Sequence, residues 1–242
     1  VGQTVLEIGN AAATVVGLPE QSTLLGNTNQ NARRILKAVK DAARDAFHDI
    51  DWVRLTRTHT FATDGSSYYL LPTYYDRIVN GTIWDRTNYK PVLGPMTRTE
   101  WQKYESGLVS LSGIYKACRI FADDTLQSVK RIGIYPETDT GSTIAFDYID
   151  SRYVVVNKIG SVGADITADD NEFLMDDHVI ELGTIWRLLR MLGLNYTSEQ
   201  QEYFSEVQEK QANDSGAPVL ELQLGRAFAG RYPNLPDSGF GV

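Results

Sequence analysis

Between positions 27 and 52 the chain reads NTNQNARRILKAVKDAARDAFHDIDW, and the spacing of its apolar residues leaves little choice of conformation. Ile35, Leu36, Val39, Ala42, Ala43, Ala46 and Phe47 recur at the offsets of one helical face. Arg33, Lys37, Lys40, Asp41, Arg44 and Asp45 fall on the other faces. Asn27 or Thr28 supplies the capping oxygen for the first free N–H groups. The helix closes near Asp49, and Trp52 opens an alternating run. The rest of the chain has to organise itself around that stripe. Arg33 and Arg34 belong either to a solvated face or to polar contacts with a neighbouring molecule.

Upstream, Val5, Leu6, Ile8, Ala12, Ala13 and Val16 form a shorter helical face, ended by Gly17 with Pro19 just beyond. Downstream of Trp52 the period changes from helical to alternating. VRLTRTHTFAT sets Val53, Leu55, Arg57, His59 and Phe61 against Arg54, Thr56, Thr58 and Thr60. Asp64-Gly65 is a turn, and SYYLLP reads as the return strand of a hairpin. Thr97 and Glu100 have capping-box spacing, which predicts a short helix carrying Trp101 and Tyr104. Four strand-like runs follow, at 113–121, 129–135, 142–148 and 152–158, with turn residues between the later ones. Short runs separated by turns predict antiparallel pairing. Helix returns in DDNEFLMDDHVIELGTIWRLLRMLGLN, apolar on most sides and capped by Gly193, so it is central. Thr197 and Gln200 cap a last helix whose apolar side is Tyr203, Phe204 and Val207.

These elements predict an α+β protein: a helical bundle interrupted by an antiparallel β-rich insertion and followed by an extended arm. The divisions fall at 1–52 for the first part of the bundle, 53–167 for the insertion, 168–212 for the second part and 213–242 for the arm. Residues 214–242 hold five Gly, three Pro and five charged side chains, yet also Leu220, Leu222, Leu224, Phe228 and Tyr232. Disordered tails are poor in such residues. Ordering the arm costs about 1–2 kcal/mol per residue in backbone entropy, more than it can recover by itself. It either packs back on its own body or, as the simpler source of burial, sits on a partner.

Little in the chain points to chemistry. The 242 residues carry a formal net charge of -8, which argues against tight, phosphate-driven nucleic-acid binding. His48, His59 and His178 lack metal-ligand spacing, and there is no serine elbow, P-loop or G-x-G-x-x-G. The pairs Asp169-Asp170 and Asp176-Asp177 are accounted for by a helix N-terminus, whose dipole favours carboxylates. Glu137 and Asp139 read as turn residues. Cys118 is the one cysteine and reads as an apolar strand position, so an internal disulfide or thiolate metal cluster is excluded. No run reaches the ~18 apolar residues of a membrane span. The absence of a basic leader, and a small Val1 compatible with methionine trimming, fit a soluble protein made in a reducing cytosol. No cofactor is expected. Tyr68, Tyr69, Tyr74, Tyr75, Trp84, Tyr89, Trp101 and Tyr104 are an aromatic set able to build core, subunit interface or a sugar-stacking surface.

The segment NTNQNARRILKAVKDAARDAF resembles the head-to-tail adaptors of tailed bacteriophages, the tail tubular protein A group and its relatives. LPTYYDRIVNGTIWDRTNYKPVLGPMTRTEW and IELGTIWRLLRMLGLNY are similar to the same proteins, and the likeness extends over about residues 1–212. The resemblance implies a structural, non-enzymatic virion protein at the head–tail junction, made in the bacterial host. It implies a homo-oligomeric ring, usually a dodecamer, seated under the portal protein and followed by a nozzle or stopper tail protein. DNA would pass through its lumen without sequence-specific binding, and no membrane is involved. On this reading Arg33 and Arg34 make polar interface contacts, while Leu220, Leu222, Leu224, Phe228 and Tyr232 anchor the arm on the portal. At ~3.3 Å per residue the arm reaches roughly 95 Å. The alternatives are a stopper or tail-completion protein, and a carbohydrate-binding module using Trp84 or Trp101.

Overall fold

The computed structural model describes residues 2–106, 116–122, 129–136, 140–156 and 160–214. The arm from 215 onward, and the Glu137 and Asp139 pair, lie outside them.

Four of the helices form one layer. In α1 (Val5–Val16), Thr4 accepts the Glu7 N–H at 3.2 Å, and the Glu7 carboxylate accepts the Thr4 N–H at 2.8 Å. This capping box, with Gly17 closing the other end in a left-handed conformation, fixes both ends. In α2 (Gln30–Asp49) the cap is Asn29, whose side chain accepts from the Asn31 N–H. Asn27, expected at that position, instead accepts from the Asn29 N–H and donates to Thr23, ordering the approach. The free carbonyls at the end of α2 are satisfied from a distance: Arg77 donates to Phe47 and Ile50 at 3.0 Å each. Trp52 donates its indole N–H to Ala46. It leads into a 3-10 turn, Val53–Leu55, rather than directly into a strand.

α4 (Asp177–Leu192) packs against α1, α2 and α5 (Thr197–Asp214). Its central place explains why its sequence is apolar on most sides. It starts later than the sequence suggests, because Asp176 takes the cap and the preceding residues include a short strand. Thr197 is the first helical residue of α5 rather than its cap, and its N–H goes to the Asn195 side chain. Small residues bring these helices close. A Cβ on Gly9 would meet Leu24 and Ile35 at 2.7 and 2.8 Å, and one on Gly183 would meet Ala42 at 3.0 Å. Ile8, Ile35, Val39, Ile180, Leu188 and Tyr203 fill the shared core. Each fully buried aliphatic side chain there contributes about 1.5–3 kcal/mol.

Residues 50–176 lie between α2 and α4, and every strand among the described residues falls within them. An eight-stranded sheet is built from β1 (Thr56–Ala62), β2 (Tyr68–Leu70), β3 (Tyr75–Ile78), β4 (Trp84–Asp85), β5 (Lys90–Leu93), β6 (Lys116–Ala122), β7 (Lys130–Tyr135) and β8 (Thr143–Asp150). Its order is β1-β8-β4-β5-β6-β7-β2, with β3 pairing β8 as well. It encloses a second core of Ile83, Cys118, Ile132, Ile134, Ile144 and Phe146. α3 (Arg98–Glu105) begins with the expected Thr97–Glu100 capping box and buries Trp101. A smaller sheet joins β9 (Val154–Val156) to β10 (Ser161–Gly163) and β11 (Glu172–Phe173).

One expectation of pairing fails, and another holds with a single exception. β1 and β2 flank the Asp64-Gly65 turn but do not form a hairpin. β1 pairs with β8 from Thr56↔Ile149 to Ala62↔Thr143, and β2 pairs with β7. The reason lies in side-chain packing: His59 and Phe61 stand against Phe146 across the β1–β8 ladder, at ring distances of 5.4 and 6.5 Å. Pairing is antiparallel throughout the described ladders except between β5 and β6, which run parallel. The fold is α+β.

Candidate interaction surfaces

Arg33 and Arg34 sit in the opening turns of α2, the first exposed and the second half-buried. Among the described residues neither guanidinium meets a carboxylate or a carbonyl. With Lys37, Lys40 and Arg44 they form a cationic strip along a helix whose opposite face is core. One ion pair crosses the strip, Lys37 to Asp41 at 2.7 Å. Exposed pairs of this kind are worth a few tenths of a kcal/mol.

Beneath it the layer is held by a buried cation. Arg187 of α4 donates to the Gly183 carbonyl at 2.6 Å and pairs with Asp45 of α2. Its guanidinium also lies 4.3 Å from the Trp186 ring and 5.5 Å from that of Tyr203. The nearby Asp49 carboxyl is raised above its ordinary value by burial and by the Asp45 charge, against the pull of Arg187. One side chain therefore ties α2, α4 and α5 together. No helical period reveals it, because Arg187 reads as an ordinary surface position.

The arm leaves the body at a defined place. The Gln211 amide donates to the Asp49 carbonyl, and Asp214 accepts the Val53 N–H at 2.8 Å, so α5 ends beside the start of β1. Lys210 is bound to Asp176 at 2.8 Å, joining α5 to the cap of α4. Burial raises the Asp176 pKa, but Lys210 and the His178 and Val179 amides outweigh it, and the carboxyl stays below its ordinary value. Leu220, Leu222, Leu224, Phe228 and Tyr232 all lie outside the described residues. Sequence reading placed Phe204 on the apolar side of α5, yet it is 48% exposed, as Leu194 is at 50%. Periodicity alone does not separate such exposed apolar positions from core.

Asp169 does different work from the helix-end role expected of it. Its carboxylate accepts the N–H groups of Leu24 and Leu25, at 3.1 and 2.9 Å, pinning the α1–α2 linker. Asp176 and Asp177 do stand at the start of α4.

The aromatic set is dispersed. Trp101 is buried against Phe121 and Tyr135, which removes it as a stacking platform. Tyr69 packs on Phe61, Tyr68 on Phe121, and Arg152 covers Tyr74 at 3.8 Å. Trp84 and the 82%-exposed Tyr89 do line a cleft of about 440 Å³ with Thr58, Thr82, Arg86 and Asp147. Among the described residues no three His, Cys, Asp or Glu side chains gather as a metal site. No described helix is long and apolar enough to cross a membrane.

No curated protein sequence gives a significant match to the chain. The profile of the SU10 adaptor proteins matches residues 3–227, nearly the whole length, and the chain belongs to that family of bacteriophage adaptors.

Proposed function

We propose that this chain is a structural, non-enzymatic head-to-tail adaptor, forming a ring of twelve beneath the portal protein and passing DNA from capsid to tail. The near-complete family match carries this reading. The cationic strip of α2 and the apolar arm following Asp214 support it. Arg33 and Arg34 make polar contacts at the subunit or portal interface, and Leu220, Leu222, Leu224, Phe228 and Tyr232 anchor the arm on the portal. The outer β surface receives the next tail protein, a nozzle or stopper. The net charge of -8 suits a lumen that repels phosphate, so DNA slides without sequence-specific binding. The divisions at 53, 168 and 213 are then functional: a helical layer for assembly, a β insertion facing the tail, an arm facing the head.

The test is the mass of the purified chain, alone and with its phage's portal protein. A ring that forms on portal, and is lost when residues 215–242 are removed, is the expected result. Portal binding unchanged by the deletion refutes the arm's role. A chain indifferent to portal, yet bound to an adaptor ring, is instead a stopper or tail-completion protein. The Trp84–Tyr89 cleft gives the carbohydrate reading its one physical support. Glycan binding abolished by Trp84→Ala with the fold intact would establish it.

A further inference from the structure

Among the described residues, β1 is an edge strand without the usual protection. Among the described strands it pairs with β8 alone, in unbroken register over all seven residues. Alternate residues of an antiparallel strand turn their N–H and C=O groups to opposite sides. On β8, the Asp147 carbonyl accepts the Val79 N–H at 2.9 Å, its N–H goes to Thr82, and the Thr143 carbonyl accepts the Arg86 N–H. Those groups face away from β1. Their cross-strand partners Thr58 and Ala62, with Thr60 between them, therefore direct their own N–H and C=O groups away from β8. All three residues are exposed.

Protein edges are ordinarily blunted by proline, lysine, a bulge or a covering segment. β1 has no proline, lysine or bulge. Arg57 guards only its base, donating to the Arg54 and Thr56 carbonyls at 3.1 Å each. His59 and Phe61 turn inward against Phe146 and are half-buried, so the apolar face continues to the strand's open side.

The arm carries a matching segment. VLELQL at 219–224 alternates Leu220, Leu222 and Leu224 with Glu221 and Gln223, between Pro218 and Gly225. That is the period of a strand with one buried face. Position agrees with pattern. Asp214 is hydrogen-bonded to Val53, three residues before β1 begins. The four residues 215–218 span up to ~13 Å, against the ~5 Å between paired strands.

We propose that the free edge of β1 is the docking site for residues 219–224 of the same chain, laid alongside it as a parallel strand. The three leucines join His59 and Phe61 on the inner face, and Glu221 and Gln223 stand outside with Thr58 and Thr60. In the unassembled subunit the arm is thus parked on its own sheet, with Phe228 and Tyr232 beyond the strand free to meet another protein first. Portal capture of the leucines, as read above, then exchanges one burial for another. The parked state needs no portal, so it stands or fails separately from that reading.

The test uses the full-length chain in dilute solution without portal. Four double variants combine Thr58→Cys or Thr60→Cys with Glu221→Cys or Gln223→Cys. After mild oxidation, an intramolecular disulfide in at least one of them, at monomer mass, is the expected result. Disulfides confined to dimers place the arm on a second copy and overturn the proposal, as does the absence of any crosslink. Amide exchange reads the edge directly. The Thr58 and Thr60 amides should exchange at least 10-fold faster in Leu222→Asp than in the unaltered chain, with α4 amides unchanged. Equal rates at the two threonines overturn it.

Discussion

Asp45 and Arg187 form an ion pair whose two members are unequally buried, and the inequality predicts which loss costs more. The Arg187 side chain is 4% exposed and that of Asp45 is 51% exposed. Replacing Arg187 by Met removes the buried charge and keeps most of the volume between Trp186 and Tyr203. Asp45 returns to water, so the cost is within ~1 kcal/mol, as for apolar replacement of buried pairs generally. Asp45→Ala does the reverse, leaving the guanidinium in place without its carboxylate. Breaking a buried pair that way costs ~3–5 kcal/mol. Here the Gly183 carbonyl at 2.6 Å and the Asp49 charge remain, which brings the expected loss to about 2–3 kcal/mol. Urea unfolding at neutral pH, followed by far-ultraviolet circular dichroism, measures both. The more exposed residue should give the larger loss. Losing Asp45 also removes a charge that raises the Asp49 pKa, so that pKa should fall in an NMR titration of Asp45→Ala. A loss in Arg187→Met equal to or greater than that in Asp45→Ala refutes the reasoning.

Burial pushes the Cys118 thiol up to about 12, so a maleimide at pH 8 should leave the native chain unlabelled and react once urea unfolds it. Asp169→Ala strips the acceptor from the Leu24 and Leu25 amides, with Leu24 buried; loss of about 2 kcal/mol is expected from charge-assisted bonds of this kind, and thermal unfolding checks it. Asp176 has its pKa lowered in the fold, so its pairing with Lys210 stabilises above the ordinary value of 3.8 and is lost as pH falls through the lowered one. Lys210→Met should therefore cost about 0.5–1 kcal/mol at neutral pH. Its stability curve should converge with that of the unaltered chain in strong acid, and a gap independent of pH would contradict this.

Helices were legible in the sequence because their signals are local. The stripe from Ile35 to Phe47, the Thr97–Glu100 box and Gly193 each act within a few residues, and each stands where periodicity puts it. The cap of α2 slipped by one or two residues because three neighbouring side chains can all accept, and Asn27 is occupied instead by the local turn from Thr23 to Asn29. Strand existence was legible; strand partnership was not. The Asp64-Gly65 turn is compatible with a hairpin, but the choice of β8 rests on Phe146, far along the chain. The surfaces divide in the same way. Arg33 and Arg34 are at a helix face that a wheel predicts, whereas Arg187 and Asp169 act on partners more than a hundred residues distant. A single sequence holds no period that links such positions.

The interruption of the helical layer has a consequence for synthesis. The partner of the α2 stripe is α4, and residues 50–176 must be translated between them. At ~5–20 residues per second that interval is roughly 6–25 s, during which Ile35, Val39 and Phe47 have no completed groove to enter. Contacts of such long separation are slow to form even on a released chain. The sheet, with its own core, can gather first, leaving the helical layer to close last. The chain thus passes through a stage in which α2 is covered by α1 alone and the side that will meet α4 is still bare.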